Sequence, residues 1–230
     1  MKTIGLLGGM SWESSVLYER LINEEVRHRL GGLHSADLLV RSYDFAEIEA
    51  LQRSGEWELA GQLLAEDAQR LEWAGAELVL LCTNTMHKVA PAIESAIGIP
   101  FLHLADATAD AVAAAGVDRV GLLGTRFTME EPFYRDRLAA HGLVVDVPDT
   151  DDRALVDRVI FDELVRGEVR DDSRTAYLEV VDRLVETGAE GVIAGCTEIE
   201  LLIGPDDVEV PFFPTTAIHA AAAVDAALAV

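Results

Sequence analysis

Two segments of this chain carry the same strand, and that repeat limits the folds open to it. Gly75-Ala-Glu-Leu-Val-Leu-Leu-Cys-Thr83 and Gly188-Ala-Glu-Gly-Val-Ile-Ala-Gly-Cys196 share Gly-Ala-Glu followed by mostly apolar residues. A second pair supports the first: Thr3-Ile-Gly-Leu-Leu-Gly-Gly9 recurs as Arg119-Val-Gly-Leu-Leu-Gly-Thr125, 116 residues on. Two independent marks in the same order imply a duplicated unit of half length. Counting eight residues from each Gly-Ala-Glu glycine pairs Thr83 with Cys196 and leaves Cys82 one place behind.

Short apolar runs alternate with segments of helical period, the pattern of β-α units forming parallel sheets covered on both faces. Strands are expected at 3–7, 37–43, 77–81 and 98–103 in the first half. In the second they are expected at 119–124, 143–146, 190–194 and 210–213. Ser11 is a candidate N-cap for a helix over the apolar positions Val16, Leu17, Leu21, Ile22 and Val26. Further helices are expected at 44–53, 56–74, 86–97, 105–115, 128–141, 152–166, 171–187 and 216–228, with a short one opening at Cys196. In such sheets ligands sit beyond the carboxyl ends of the strands. The polar turn residues fall there: Gly8 to Ser14, Thr83 to Thr85, Thr125 to Thr128 and Cys196 to Glu198. The simplest arrangement sets the halves face to face with the site between them.

A chain of 230 residues with 50% hydrophobic residues can bury a large core as one domain or two. Its 41 acidic and 18 basic residues give a net charge of −23, and Lys2 and Lys88 are the only lysines. That sign argues against nucleic acid and anionic membrane as partners. No apolar run approaches the roughly 20 residues of a membrane span, and the opening residues are too glycine-rich for a signal peptide. Two cysteines fit a reducing compartment, so the expected location is the cytoplasm. No His, Asp and Cys cluster has ligand spacing, so no metal is expected.

Equivalent turns on opposite sides of a ligand would offer one acid/base group to each face of a carbon, which is what racemisation needs. Free N–H groups at each turn could hold a carboxylate and stabilise an enediolate. A helix N-terminus is expected to lower a thiol's pKa toward the thiolate.

The opening Gly-Leu-Leu-Gly-Gly-Met-Ser-Trp-Glu-Ser, the segment Leu81-Cys-Thr-Asn-Thr-Met-His-Lys88, the segment Leu122-Leu-Gly-Thr-Arg-Phe-Thr-Met129 and the turn Gly195-Cys-Thr-Glu198 resemble the aspartate/glutamate racemase superfamily. The resemblance spans essentially the whole chain and is greatest to the L-aspartate/glutamate-specific members. It implies an α/β fold of two similar domains, each a parallel four-stranded sheet flanked by helices, related by a pseudo-two-fold with the active site in the cleft between them. The corresponding domains are residues 1–102 with 214–230, and 103–213. It also implies no pyridoxal phosphate, no metal, an acidic amino acid as substrate and a homodimer.

Family members typically place a cysteine directly before Asn-Thr, where this chain has Thr83. A one-residue shift in a strand reverses side-chain direction, so Cys82 is expected to point away and serve the core. Thr83 and Cys196 become the expected catalytic pair. The resemblance adds Met10, Gln52, Asn84, Thr85, Thr125, Thr197 and Glu198 as substrate contacts. The bland alternative for Thr83, Asn84 and Thr85 is to cap the next helix, Thr125 and Thr128 could bind or cap, and Gln52, following a helix, could lie at the surface. Arg126 and Arg166 could clamp a carboxylate but default to surface ion pairs. His87 and His219 default to structural roles. A dicarboxylate lyase or isomerase, or a non-catalytic binder of acidic amino acids, would use the same scaffold.

Overall fold

The computed structural model describes residues 1–229. The chain divides into two units, one comprising Met1–Leu104 with the segment from His219 onward, the other Ala105–Ile218.

In the first unit β1 (Ile4–Gly8), β2 (Leu38–Ser42), β3 (Leu78–Leu81) and β4 (Phe101–Leu102) form a four-stranded sheet in the order β2-β1-β3-β4, every pairing parallel. Its helices are α1 (Trp12–Leu30), α2 (Phe45–Ser54), α3 (Trp57–Trp73) and α4 (Ala90–Ala96). The strands are apolar on both faces because both are covered. Ile4, Leu6, Leu78 and Leu80 pack with Tyr18, Ile22 and Val26 of α1 and with Ala220, Ala223 and Val224. Leu7, Val79 and Leu81 face the other way, into Ala60, Leu64 and Ala68 of α3 and Ile93 of α4.

The chain leaves this unit through α5 (Leu104–Ala114). The second unit repeats the plan with β5 (Arg119–Gly124), β6 (Val144–Asp146), β7 (Gly191–Gly195) and β8 (Phe212–Pro214), in the order β6-β5-β7-β8, again parallel. Its helices include α6 (Arg126–Glu130), α7 (Pro132–Ala140), α8 (Thr150–Asp162) and α9 (Asp171–Glu186). Leu123, Val192 and Ala194 pack against Val156 and Ile160 of α8 and Tyr177, Val180 and Leu184 of α9. The last helix, α10 (Thr215–Leu228), returns the chain to the first unit.

The repeated Gly-Ala-Glu has a geometric cause. Gly75 and Gly188 end the preceding helices at φ of 106° and 108°, a region L side chains rarely adopt. Ala76 and Ala189 are buried. The next carboxylate accepts a bond from the neighbouring strand: Glu77 Oε2 from the Thr3 N–H at 2.9 Å, and Glu190 Oε2 from the Asp118 N–H at 3.1 Å. The motif therefore stitches β3 onto the start of β1, and β7 onto the start of β5.

Three expected helices are broken, and the one over 152–166 is α8 followed, after Glu163 (φ −123°, ψ −67°), by a 3₁₀ turn, Leu164–Arg166. The one over 86–97 is a 3₁₀ turn, Thr85–Val89, followed by α4 with Pro91 in its opening turn, where the missing N–H costs nothing. The one over 128–141 is α6 and α7, parted at Glu131, whose extended backbone (φ −83°, ψ 149°) is what Pro132 demands of the residue before it. No helix among the described residues is long and apolar enough to cross a membrane.

Candidate active site

Strand register fixes which residues are equivalent. Ile4 pairs with Leu78 in the first sheet, and Val120 pairs with Gly191 in the second. A β1 residue therefore recurs 116 positions on, in β5, and a β3 residue 113 positions on, in β7. Thr83 maps onto Cys196, and Cys82 maps onto Gly195.

Facing agrees with register. Cys82 lies with Leu78 and Leu80 in the cluster beneath α1, fully buried. Burial alone pushes its thiol well above the ordinary range. Cys196 lies with Val192 and Ala194 on the opposite kind of face, the one covered by α8 and α9. The Cys82 position has no room for chemistry in the second half either: a Cβ at Gly195 would meet the Leu123 carbonyl oxygen at 2.7 Å.

In the first unit, β1 ends in Gly8-Gly9, and Gly9 has φ 84° because the chain passes against Tyr43. A Cβ there would lie 2.2 Å from the Tyr43 nitrogen. Ser11 then caps α1, accepting from the Ser14 N–H. Ser15 Oγ accepts from the Gly9 N–H at 2.6 Å, and the Ser14 hydroxyl donates to the Cys82 carbonyl at 3.1 Å. Those serines bind the Met10 turn to the turn after β3.

In that turn the Thr83 N–H donates to the Leu81 carbonyl at 2.9 Å. The His87 Nδ1 lies 2.7 Å from the Thr83 carbonyl oxygen. The Thr83 hydroxyl makes no hydrogen bond among the described residues. Asn84 occupies the N-cap of the 3₁₀ turn, yet its side chain makes no capping bond, so capping does not explain it. Met10, Asn84 and Thr85 are all buried. Gln52 corrects an expectation: it lies within α2, buried, with its amide nitrogen 3.0 Å from the Met86 sulphur.

In the second unit Thr125 does cap, accepting from the Thr128 N–H as N-cap of α6. The turn after β7 carries Cys196, Thr197 and Glu198 into a short 3₁₀ helix, Thr197–Leu201. The Cys196 thiol donates to Glu198 Oε2 at 2.9 Å. The Thr216 hydroxyl donates to Thr197 Oγ1 at 3.1 Å, and Thr215 Oγ1 to the Ala194 carbonyl at 2.7 Å.

This overturns the expected thiolate. Burial, then the charge of Glu198 and its acceptance of the thiol proton, push the Cys196 thiol well above its ordinary range. The helix it opens is one short 3₁₀ turn, too little dipole to oppose that. Glu198, expected to contact substrate, is the hydrogen-bond partner of the thiol. Nearby Glu200 is raised to about 7, chiefly by burial, while Thr216 bonds oppose the rise.

Arg126 and Arg166 are exposed and make no ion pair among the described residues, so the surface bridges expected of them are not formed. His87 and His219, each reduced to a structural default by the sequence, are buried beside the Thr83 turn with His103. Spacing could have suggested His87, four residues beyond Thr83. Nothing local points to Ser15 or Thr216.

The chain matches the Asp/Glu/Hydantoin racemase family over residues 7–223. It is 54% identical to a Yersinia pestis protein of provisional Asp/Glu racemase assignment, each covered in full, with a TM-score of 0.95. With an aspartate racemase homologue from Pyrococcus horikoshii OT3 it shares 34% identity over 99% of each chain, TM-score 0.88. The broad specificity amino-acid racemase RacX of Bacillus subtilis is 24% identical over 166 residues, 72% of this chain and 71% of that one. Strand order, duplicated turns and these matches agree: the chain belongs to the Asp/Glu/hydantoin racemase family.

Proposed function

We propose that this protein racemises aspartate or glutamate without a cofactor, with Cys196 and Thr83 as the acid/base pair working on one substrate. The observation carrying this reading is the Cys196 thiol hydrogen-bonded to Glu198 at the C-terminal end of β7, at the position equivalent to that of Thr83 after β3 in the other unit. Glu198 accepts the thiol proton, and the sulphur then takes the α-proton: the Cα–H bond breaks, S–H forms and the electron pair moves into the carboxylate as an enediolate. The backbone N–H of Met10, in the turn after β1, supplies a donor for that oxyanion. The Thr83 hydroxyl relays a proton to the other face, so one proton leaves the carbon and one returns.

A hydroxyl is a far weaker base than a thiolate. Turnover should therefore be faster from the enantiomer whose α-proton faces Cys196. Incubation of each enantiomer of aspartate and glutamate in deuterated water should exchange the α-proton and yield the other enantiomer, with unequal initial rates. Absence of exchange from all four would refute the reading.

A further inference from the structure

We infer that His87 is a positioning residue that fixes the backbone of Thr83 and leaves its hydroxyl available for proton transfer, a role that rests on the racemase reading above. The Thr83 carbonyl is orphaned by the turn it sits in. The N–H four residues on, that of His87, bonds instead to Asn84 at 3.0 Å, because the segment is a 3₁₀ turn. The His87 side chain comes back to take the carbonyl, Nδ1 to oxygen at 2.7 Å. With the Thr83 N–H already on Leu81, both backbone groups of Thr83 are held and only its side chain is uncommitted.

The other ring nitrogen fixes the proton. The Leu104 N–H donates to His87 Nε2 at 3.2 Å, so Nε2 must be the acceptor and Nδ1 must carry the hydrogen. His219 is fixed in the opposite tautomer: Nε2 donates to the Leu102 carbonyl at 2.9 Å, and Nδ1 accepts from the Tyr18 hydroxyl at 2.9 Å. Together the two imidazoles grip the peptide between the end of β4 and the start of α5. Through His87 that grip reaches the Thr83 carbonyl. Tyr18, Thr83, His87, Leu104 and His219 are buried and Leu102 is half-buried, and in such surroundings a fully bonded network holds one geometry.

Two half-replacements separate the two bonds. In His87→Asn the amide nitrogen stands where Nδ1 stood and can still donate to Thr83. In His87→Gln the amide reaches the Nε2 position, serving Leu104 and leaving the Thr83 carbonyl unpaired. We expect His87→Gln and His87→Ala to lose racemisation roughly tenfold or more, as misplacement of a reacting group does. His87→Asn should keep it within about threefold.

Exchange of the enantiomer facing Cys196 needs no help from Thr83, and should stay within about threefold in all three variants. That readout also shows that each variant is folded. Equal loss of exchange and racemisation, or an Asn variant as poor as the Ala variant, would overturn the inference. So would imidazole nitrogen NMR of the wild type showing the proton on His87 Nε2. A wild type without exchange would refute the racemase reading itself, whatever the tautomer.

Discussion

Replacing Glu198 by Gln should make Cys196 more reactive and the protein less active. The carboxylate lies 2.9 Å from the sulphur and accepts its proton. After burial, its charge is the next largest cause holding the thiol high. Two like charges about 4 Å apart repel by about 1 to 4 kcal/mol between fully aqueous and partly screened surroundings. Each 1.4 kcal/mol is roughly tenfold in protonation equilibrium. Removing the charge should therefore raise the thiolate fraction at a given pH by about five- to a thousandfold, while burial keeps the thiol above its ordinary value.

Alkylation by iodoacetamide, mapped to Cys196 by mass spectrometry and followed against pH, measures this directly. Cys82, enclosed in the core, supplies an internal blank. Turnover should move the other way, because the variant has lost the group that takes the thiol proton, worth about 10²- to 10⁴-fold. If Glu198→Gln raised both alkylation and racemisation, the carboxylate would be only a brake on the thiol. If it slowed alkylation, the hydrogen bond itself would be wrong.

Two other perturbations have signs set by burial. Cys82→Ala removes a sulphur from the packing of Ile4, Tyr18, Leu80 and Val224; denaturant unfolding should show a loss of about 1–2 kcal/mol, with racemisation spared. Loss of activity there would restore Cys82 to the catalytic pair. Burial lowers His219 from about 6.5 to about 4, so its neutral form belongs to the folded state. Its contribution is complete above about 6.5 and is lost as pH falls toward about 4, roughly 3 kcal/mol in all. His87, also held low by burial, acts in the same direction. Chemical denaturation across this window should show a shallower pH slope in His219→Gln, and an unchanged slope would refute the neutral assignment.

The strands were legible because parallel strands covered on both faces are simple apolar runs, and the order of elements follows from their alternation with helical segments. Two of the helix breaks were written in Pro91 and Pro132, but each proline is compatible with either a first helical turn or an interruption, and the break at Glu163 carries no proline at all. The burial of Gln52 was not legible, because a polar residue late in a helix can face either way; the interior keeps it by giving its amide the Met86 sulphur. The protonated state of Cys196 rests first on its burial in the folded unit and then on the rotamer of a residue two positions away. The function of His87 turns on Leu104, seventeen residues distant, being brought to its far nitrogen. Neither is a property of local sequence.

The pairing of Thr83 with Cys196 was legible for a different reason. Aligning the two cysteines matches chemistry, and chemistry can drift along a turn without moving the backbone. Aligning Gly-Ala-Glu matches geometry. A glycine with φ of 106° or 108° and a glutamate bonded to the next strand's amides anchor each copy at the start of its strand. From a fixed start, parallel pairing carries the count unchanged to the other end: Leu7 opposite Leu81 in one sheet, Leu123 opposite Ala194 in the other. One more residue in each strand gives Cys82 and Gly195, and one beyond gives Thr83 and Cys196. Thr83→Cys combined with Cys82→Ala would make the two turns chemically alike without shifting any strand. If Thr83 is what makes turnover unequal, that double replacement should bring the initial rates from the two enantiomers closer together.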